Sequence, residues 1–137
     1  MRASFSVAGE PTGKARPRVT RTGHAYTPEK TVLYENLIKM EYESQCGDAY
    51  CEKDVPVALS ISAFYGIPKS ATKRKREEML AGEIRPTKKP DADNLAKLVG
   101  DALNGIAYYD DSQIVQCYVE KFYSDKPRVD VIVRSFE

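Results

Sequence analysis

Apolar residues recur along this chain with a period of two in several stretches, which predicts strands. The apolar residues at positions 57, 59, 61 and 63 alternate with Ala58, Ser60, Ser62 and Phe64. A weaker alternation covers residues 1–7. Two more strands are predicted at 114–123 and 128–136, and only four residues separate them. That short separation predicts an antiparallel hairpin between the last two strands.

A helical period replaces the alternation after Pro90. Apolar residues at i, i+3, i+4, i+7, i+8 and i+11 form one face: Leu95, Leu98, Val99, Ala102, Leu103 and Ile106. We expect Asp93 or Asn94 to cap this helix, and Gly105 to lie where it stops.

An earlier helix is predicted to run from Pro28 to about Gln45. Thr27 would be its N-cap and Pro28 its first helical residue. The residues expected to face inward are Leu33, Leu37 and Met40, with Tyr34 and Ile38 as further candidates.

Two segments lack either period. Residues of about 9–27 predict a long irregular or hairpin-like loop, and residues of about 68–90 predict a basic loop with a short helix between 69 and 83. The resulting β-α-β-α-β-β order predicts an α+β fold: a single two-layer domain over residues 1–137, with helices packed on a mixed sheet.

The composition is that of an ordinary soluble domain. Of the 137 residues, 42% are hydrophobic and 30% are charged, and no apolar run is long enough for a membrane span or a signal peptide. We therefore expect a cytoplasmic protein with no membrane partner. The three cysteines lack metal-ligand spacing and are expected to be reduced, with a Cys46–Cys51 disulfide as the alternative to that state.

The net charge of +1 conceals two strongly basic segments. Residues 14–30 and 69–89 together carry thirteen basic and four acidic side chains, a net charge of +9, so the remainder sums to −8. Such segregation suits a face that binds a polyanion, although a solvated surface is the alternative. The candidate nucleic-acid contacts are Arg16, Arg18, Arg21, Lys73, Arg74, Lys75, Arg76, Lys88 and Lys89.

A group of acidic residues surrounds the second helix. Asp91 and Asp93 precede it or open it, Lys97 follows one turn later, and Asp110-Asp111 comes after the loop that ends it. Folding that returned Asp111 to the first pair would place three carboxylates together, and these repel one another unless a cation neutralises them. Mg²⁺ or Mn²⁺ suits such oxygen ligands, and Lys97 would stabilise charge on a bound phosphate.

Each of these residues also has a simpler interpretation. Asp-x-Asp before a helix most often caps it, Lys97 could pair with Asp93 or Asp101 on the helix surface, and Asp110-Asp111 could form a turn. A calcium-binding EF-hand loop is excluded, since Leu95 and Ala96 would occupy its fifth and sixth positions. His24, the only histidine, is expected to be a surface residue.

Two motifs give a closer resemblance. The stretch Lys89-Pro-Asp-Ala-Asp-Asn-Leu-Ala-Lys97 is followed by Asp101-Ala-Leu-Asn-Gly-Ile-Ala-Tyr-Tyr-Asp-Asp-Ser-Gln-Ile-Val115. Together they closely resemble the RusA-type Holliday-junction resolvases of bacteria and their prophages. The shortest members of that family have arginines directly before the first aspartate, where this chain has Lys88-Lys89-Pro90.

The resemblance implies a homodimeric, Mg²⁺-dependent endonuclease that nicks opposing strands of a four-way junction in recombination and repair. It places the metal ligands on Asp91, Asp93 and Asp111, and the family's essential lysine on Lys97, with Asp101 and Asp110 as supporting candidates. Two alternatives remain open: a nuclease for other branched DNA such as flaps, and a non-catalytic DNA-binding accessory protein.

Overall fold

The computed structural model describes residues 1–14, 18–26 and 28–136. Its strands are β1 (Arg2–Ala8), β2 (Arg18–Val19), β3 (Ala25–Tyr26), β4 (Val57–Gly66), β5 (Ile114–Ser124) and β6 (Arg128–Ser135). Its helices are α1 (Glu29–Cys46), α2 (Lys73–Leu80) and α3 (Ala92–Ala102), and one 3₁₀ turn (Asp111–Gln113) leads into β5. The α+β prediction is confirmed. The small β2–β3 hairpin and α2 lie in the two basic segments, as predicted.

The four long strands form one mixed sheet in the order β1-β6-β4-β5. β4 is antiparallel to β6 and parallel to β5, so the predicted β5–β6 hairpin is wrong. β4 is the most deeply buried strand of the four and therefore occupies a central position, whereas the half-exposed β5 lies at an edge. The short connection at 125–127 crosses the end of β4 to reach β6 on its other side.

The three helices lie beside this sheet, and α1 and α3 bury one of its faces. α3 follows its prediction: Leu95, Leu98 and the other apolar residues of its stripe are buried, except for Ile106, which is half-buried. Gly105 has a positive φ of 78° just beyond the helix, a conformation that favours glycine.

The inward face of α1 was predicted only in part. Leu33 and Met40 are 61% and 58% exposed, whereas the candidate Ile38 is buried, together with Thr31 and Tyr42, which were not predicted. Tyr42 is suited to the interior because its ring packs edge-on against Phe5 and its hydroxyl donates to the Ala49 carbonyl at 2.6 Å. Leu37 and Tyr34 are half-buried.

The start of α1 also differs from the prediction by one residue. Pro28 is the N-cap residue, and the helix begins at Glu29. The predicted cap, Thr27, lies outside the described residues.

The opposite face of the sheet carries a stack of alternating charged and aromatic groups. The rings of Phe64 and Phe122 stack with centroids 5.3 Å apart, and the guanidinium groups of Arg128 and Arg85 lie over their outer faces at 4.0 and 3.9 Å. These cation–π contacts shield two rings that are only half-buried on this face.

Candidate functional site

The N-terminus of α3 presents the first acidic pair to solvent. Asp91 is the N-cap residue: its backbone is extended, and its carbonyl accepts the first helical hydrogen bond, from the Leu95 amide at 3.0 Å. Asp93 lies in the first helical turn, so the prediction that Asp93 or Asn94 caps the helix is wrong. The helix can begin earlier because Pro90, which cannot donate a backbone hydrogen bond, lies outside it.

The carboxylate of Asp91 does not cap the helix, although capping was the simpler interpretation. It makes no cap hydrogen bond, and both Asp91 and Asp93 are exposed. Within the described residues neither has a cationic side chain within 4.0 Å. Two neighbouring carboxylates are thus left available to a ligand from solution.

Lys97 lies one turn beyond Asp93 and is exposed. The alternative that it pairs with Asp93 or Asp101 is not seen: across the part of the chain described, no carboxylate lies within 4.0 Å of its ammonium group. Its position on α3 places its charge on the same helix as both aspartates, about 6 Å along the axis from Asp93.

The segment before Asp91 is held against the sheet. The Tyr65 hydroxyl donates to the Pro90 carbonyl at 2.7 Å, and the Lys121 ammonium donates to the Lys88 carbonyl at 2.5 Å. Burial raises the pKa of Tyr65 to about 12, so its phenol remains a donor at neutral pH. The Lys89–Pro90 peptide bond is cis. Asp91 is therefore positioned by the carboxyl-terminal ends of β4 and β5.

Asp110 caps the 3₁₀ turn that precedes β5. Its carboxylate accepts from the Ser112 amide at 3.0 Å, and its own amide donates to Gln113 Oε1 at 2.8 Å, which forms a capping box. The hydrogen bonds from Ser112 hold the pKa of Asp110 below its ordinary value. Asp110 therefore has a structural role, as the turn interpretation predicted, while Asp111 beside it is exposed.

Asp111 lies near the opposite end of α3 from Asp91. The turn that contains it leads into Ile114, which pairs with Val57 at the start of β4, whereas Pro90 is bonded to Tyr65 near the end of that strand. The eight steps between Val57 and Tyr65 span about 26 Å. In agreement, no group of three or more His, Cys, Asp or Glu residues among those described is arranged to hold a metal ion. Within one chain, Asp111 does not return to the first pair.

A buried tyrosine connects Asp111 with the second half of α3. The Tyr108 hydroxyl donates to the Gly100 carbonyl at 2.6 Å, and burial raises the pKa of this phenol, with smaller contributions from the charges of Asp111 and Asp101. The loop that carries Asp111 is thereby fixed to the helix.

A lysine that the sequence did not single out engages Asp101. Lys14 Nζ donates to Asp101 Oδ2 at 2.6 Å and lies 3.9 Å from Glu35, and the hydrogen bond to Asp101 raises the pKa of Lys14 above its ordinary value. Asp101 is therefore neutralised by the protein, unlike Asp91 and Asp93. Because loop residues have no periodicity, the sequence could not predict the contact between Lys14 and Asp101. The only available signal was that Lys14 lies in a basic segment.

The same loop forms one wall of a groove beside Asp91. The groove has a volume of about 660 Å³ and is lined by Pro11, Thr12, Gly13, Lys14, Lys30, Thr31, Lys89, Pro90, Asp91 and Asn94. Three of these residues are lysines, so an anionic ligand would be favoured next to the acidic pair.

The predicted nucleic-acid contacts lie on separate elements. Arg18 and Arg21 are exposed in the β2–β3 hairpin, and Arg16 lies outside the described residues. On α2, Lys73 and Lys75 are exposed without an ion pair to another described residue, whereas two arginines are engaged: Arg74 pairs with Glu78 at 3.2 Å and Arg76 with Asp125. Lys88 and Lys89 immediately precede the acidic pair.

Three further expectations can be compared with the structure. His24 is exposed, as expected, and all three cysteines are free, so the alternative Cys46–Cys51 disulfide is not formed. Among the described helices, none has the length and apolar character needed to cross a membrane.

Comparison with known proteins identifies the family. The family model for endodeoxyribonuclease RusA matches residues 8–134. The uncharacterized protein YqaN of Bacillus subtilis (strain 168) is 38% identical over 135 residues, which cover 95% of this chain and 94% of YqaN. The crossover junction endodeoxyribonuclease rusA of Lactococcus phage r1t is 37% identical over 81 residues, 58% of this chain and 55% of the phage protein. The chain belongs to the RusA endodeoxyribonuclease family.

Proposed function

We propose that this protein is a Mg²⁺-dependent, structure-specific endonuclease that resolves four-way DNA junctions by symmetric paired nicks. The observation that carries the proposal is the exposed pair Asp91 and Asp93 at the start of α3, without a cationic partner among the described residues, in a chain of the RusA family. The phage relative bears the name of a crossover junction endodeoxyribonuclease, which supports the same substrate for this chain.

The donor set suits a hard divalent cation. Asp91 and Asp93 offer carboxylate oxygens, which Mg²⁺ and Mn²⁺ prefer, and the lysine-lined groove beside them suits the phosphates of the substrate. When bound, such a metal polarises the phosphodiester and lowers the pKa of an attacking water. Lys97 then stabilises negative charge on the phosphate undergoing hydrolysis.

The third expected ligand, Asp111, is too distant within one chain. Oxygens that share one Mg²⁺ lie about 2.1 Å from it, so two ligands cannot be at opposite ends of a helix of 11 residues. In the homodimer that the family resemblance implies, Asp111 of a second copy is the candidate to complete each site. A twofold dimer then holds two equivalent centres, which matches the two symmetric cuts that a four-way junction requires.

Cleavage of a synthetic four-way junction tests the proposal. Wild-type protein should nick opposing strands in Mg²⁺ or Mn²⁺, and Asp91→Asn should lose at least about 100-fold in rate, since an electrostatic contact made in the transition state is removed. Binding without metal should be retained or strengthened, because one carboxylate that repels phosphate is gone. Asp48→Asn, at an exposed position after α1, is the matched control and should cut normally.

Two results would contradict parts of this proposal. Wild-type protein that binds junctions but never cuts them with either metal would be a DNA-binding accessory protein. Faster cleavage of flaps than of four-way junctions would keep the metal centre and reassign the substrate to other branched DNA.

A further inference from the structure

A second groove adjoins the lysine-lined groove and differs from it in character. It has a volume of about 430 Å³ and is lined by Thr12, Glu29, Lys30, Leu33, Tyr34 and Leu37. Thr12 and Lys30 also belong to the wall of the lysine-lined groove, so the two grooves meet at these residues. One continuous surface therefore leads from Asp91 to the side of α1.

The floor of the second groove is apolar. Leu33 and Leu37 are one helical turn apart on α1, with Tyr34 beside them, and the groove extends about 10 Å along the helix from Lys30 to Leu37. Leu33 is 61% exposed and Leu37 is half-buried, so both are accessible from solution. Burial raises the pKa of Tyr34 to about 12, so its phenol is uncharged at neutral pH. Concave apolar surfaces with a few polar groups are typical of sites for small organic groups.

The two grooves match the two parts of a nucleotide. The lysines of the first groove suit phosphates, and the apolar floor of the second suits the flat face of a base. The polar residues Thr12 and Glu29 offer a hydroxyl and a carboxylate that can hydrogen-bond with the edge of a base. Because the grooves meet at Lys30, neighbouring nucleotides of one strand can place a phosphate in the first and a base in the second.

We propose that the second groove holds one unstacked base of the DNA strand whose phosphate lies beside Asp91, which deepens the proposed function and rests on it. Removal of a base from its stack is least costly where pairing is already disturbed, as at the strand-exchange point of a four-way junction. Contact with Leu33, Tyr34 and Leu37 compensates this cost. The groove therefore favours branched DNA over an intact duplex.

The apolar side of α1 continues beyond the groove and provides a matched control. Met40 is 58% exposed, much as Leu33 is, but it does not line the groove. A base in the groove contacts Leu33 and not Met40, whereas another protein chain packed along α1 would contact both. Leu33→Ala is therefore compared with Met40→Ala, and because both side chains are exposed, both variants should fold.

A cycle of changes in the protein and in the DNA tests the base site. Junctions that lack one base, at each of the three positions nearest the strand-exchange point in turn, are compared with the intact junction by binding in EDTA, where no strand is cut. At one position, loss of the base should weaken binding to the wild type and to Met40→Ala at least about 3-fold more than binding to Leu33→Ala, since Leu33 supplies part of the contact with the base. The greater flexibility of DNA that lacks a base is common to all three proteins and cancels in this ratio.

Three outcomes would overturn the base site. The first is a ratio between the wild type and Leu33→Ala below about 3-fold at every position. The second is the same loss of base dependence in Met40→Ala as in Leu33→Ala. The third is a Leu33→Ala variant that dissociates a dimer in sedimentation and leaves the base dependence unchanged, which would assign this side of α1 to an interface between copies.

The proposed function is tested separately, because the cycle measures binding without metal. A protein that shows the base-dependent ratio but never cuts junctions with Mg²⁺ or Mn²⁺ would keep the base site and overturn the nuclease. A protein that cuts junctions without that ratio would overturn the base site alone.

Discussion

The contact between Lys14 and Asp101 gives a prediction whose size follows from its geometry. The two charged atoms are 2.6 Å apart, and the side chains are 21% and 30% exposed. Hydrogen bonds to charged groups contribute about 1.5–3 kcal/mol, whereas exposed ion pairs contribute about 0.2–1 kcal/mol. For this partly exposed pair we expect a coupling free energy of about 1 kcal/mol, at the upper end of the range for exposed ion pairs.

A double-mutant cycle measures that coupling. Lys14→Met, Asp101→Asn and the double variant are unfolded in urea, and the coupling is the part of their destabilisation that does not add. Because Asp101 raises the pKa of Lys14 above 10.5, the stabilisation should be fully present below pH 10.5 and lost as pH rises through the raised value. A coupling below about 0.3 kcal/mol would refute the reasoning, since independent sites already add within about that margin.

The same variants separate a positioning role from a metal-binding role. The pair fastens the basic loop to the last turn of α3, so its loss should raise the KM for a junction while kcat stays close to that of the wild type. Arginine at position 14 should restore KM, because it also carries a positive charge. If Asp101→Asn instead abolished turnover as Asp91→Asn is expected to do, Asp101 would be a metal ligand and the positioning role would be wrong.

Three further predictions concern other parts of the molecule. Gly13→Ala should destabilise the fold by about 1–3 kcal/mol in urea and slow cleavage, since a Cβ there would meet Pro90 Cβ at 2.6 Å; wild-type stability would contradict that close approach. Burial raises the pKa of Tyr42 and Tyr65 to about 12, so the free energy of unfolding should fall as pH rises from about 10 to 12. Unfolding followed by circular dichroism measures this, and a constant free energy of unfolding across that range would contradict the prediction. Lys75→Ala should reduce the slope of log K for junction binding against log salt by about 1. Arg76→Ala should reduce it less, because Asp125 already neutralises that arginine. A Lys75→Ala slope equal to that of the wild type would exclude Lys75 as a phosphate contact.

Local periodicity predicted the elements of the fold, but the pairing of strands is not local. The alternation in residues 57–63 and the stripe on α3 identified their strand and helix correctly, since each reflects burial along one element. The prediction of a β5–β6 hairpin was wrong because a short connection was taken to mean that the two strands pair directly. β4 separates the two strands, and only its near-complete burial indicates a central position.

The α1 helix shows a different limit. It has apolar residues on two sides, so periodicity alone could not decide between Leu33 with Met40 and Ile38 with Tyr42. The inward side is the one that packs Tyr42 against Phe5, a contact between elements far apart in the sequence.

The candidate site was only partly predictable for the same reason. Motif spacing singled out Asp91, Asp93, Asp111 and Lys97 as candidates, and the turn interpretation of Asp110 was correct. Sequence could not reveal that Asp111 lies at the other end of α3, because that depends on the direction of α3 relative to β4 and β5.

Mixing two inactive variants tests most directly whether each metal centre is built from two copies. Asp91→Asn and Asp111→Asn should each be inactive alone. If the protein is the proposed dimer, refolding the two variants together should give heterodimers in which one centre combines the intact Asp91 of one copy with the intact Asp111 of the other. Random assortment should then restore about a quarter of the wild-type centres, each of which makes a single nick. A mixture of Asp91→Asn with Asp93→Asn should remain inactive, because one copy supplies both of these residues to each centre and every centre then lacks one of them. Recovery of nicking only in the first mixture is the predicted result, and no recovery in heterodimers shown to have formed would contradict a centre shared between copies.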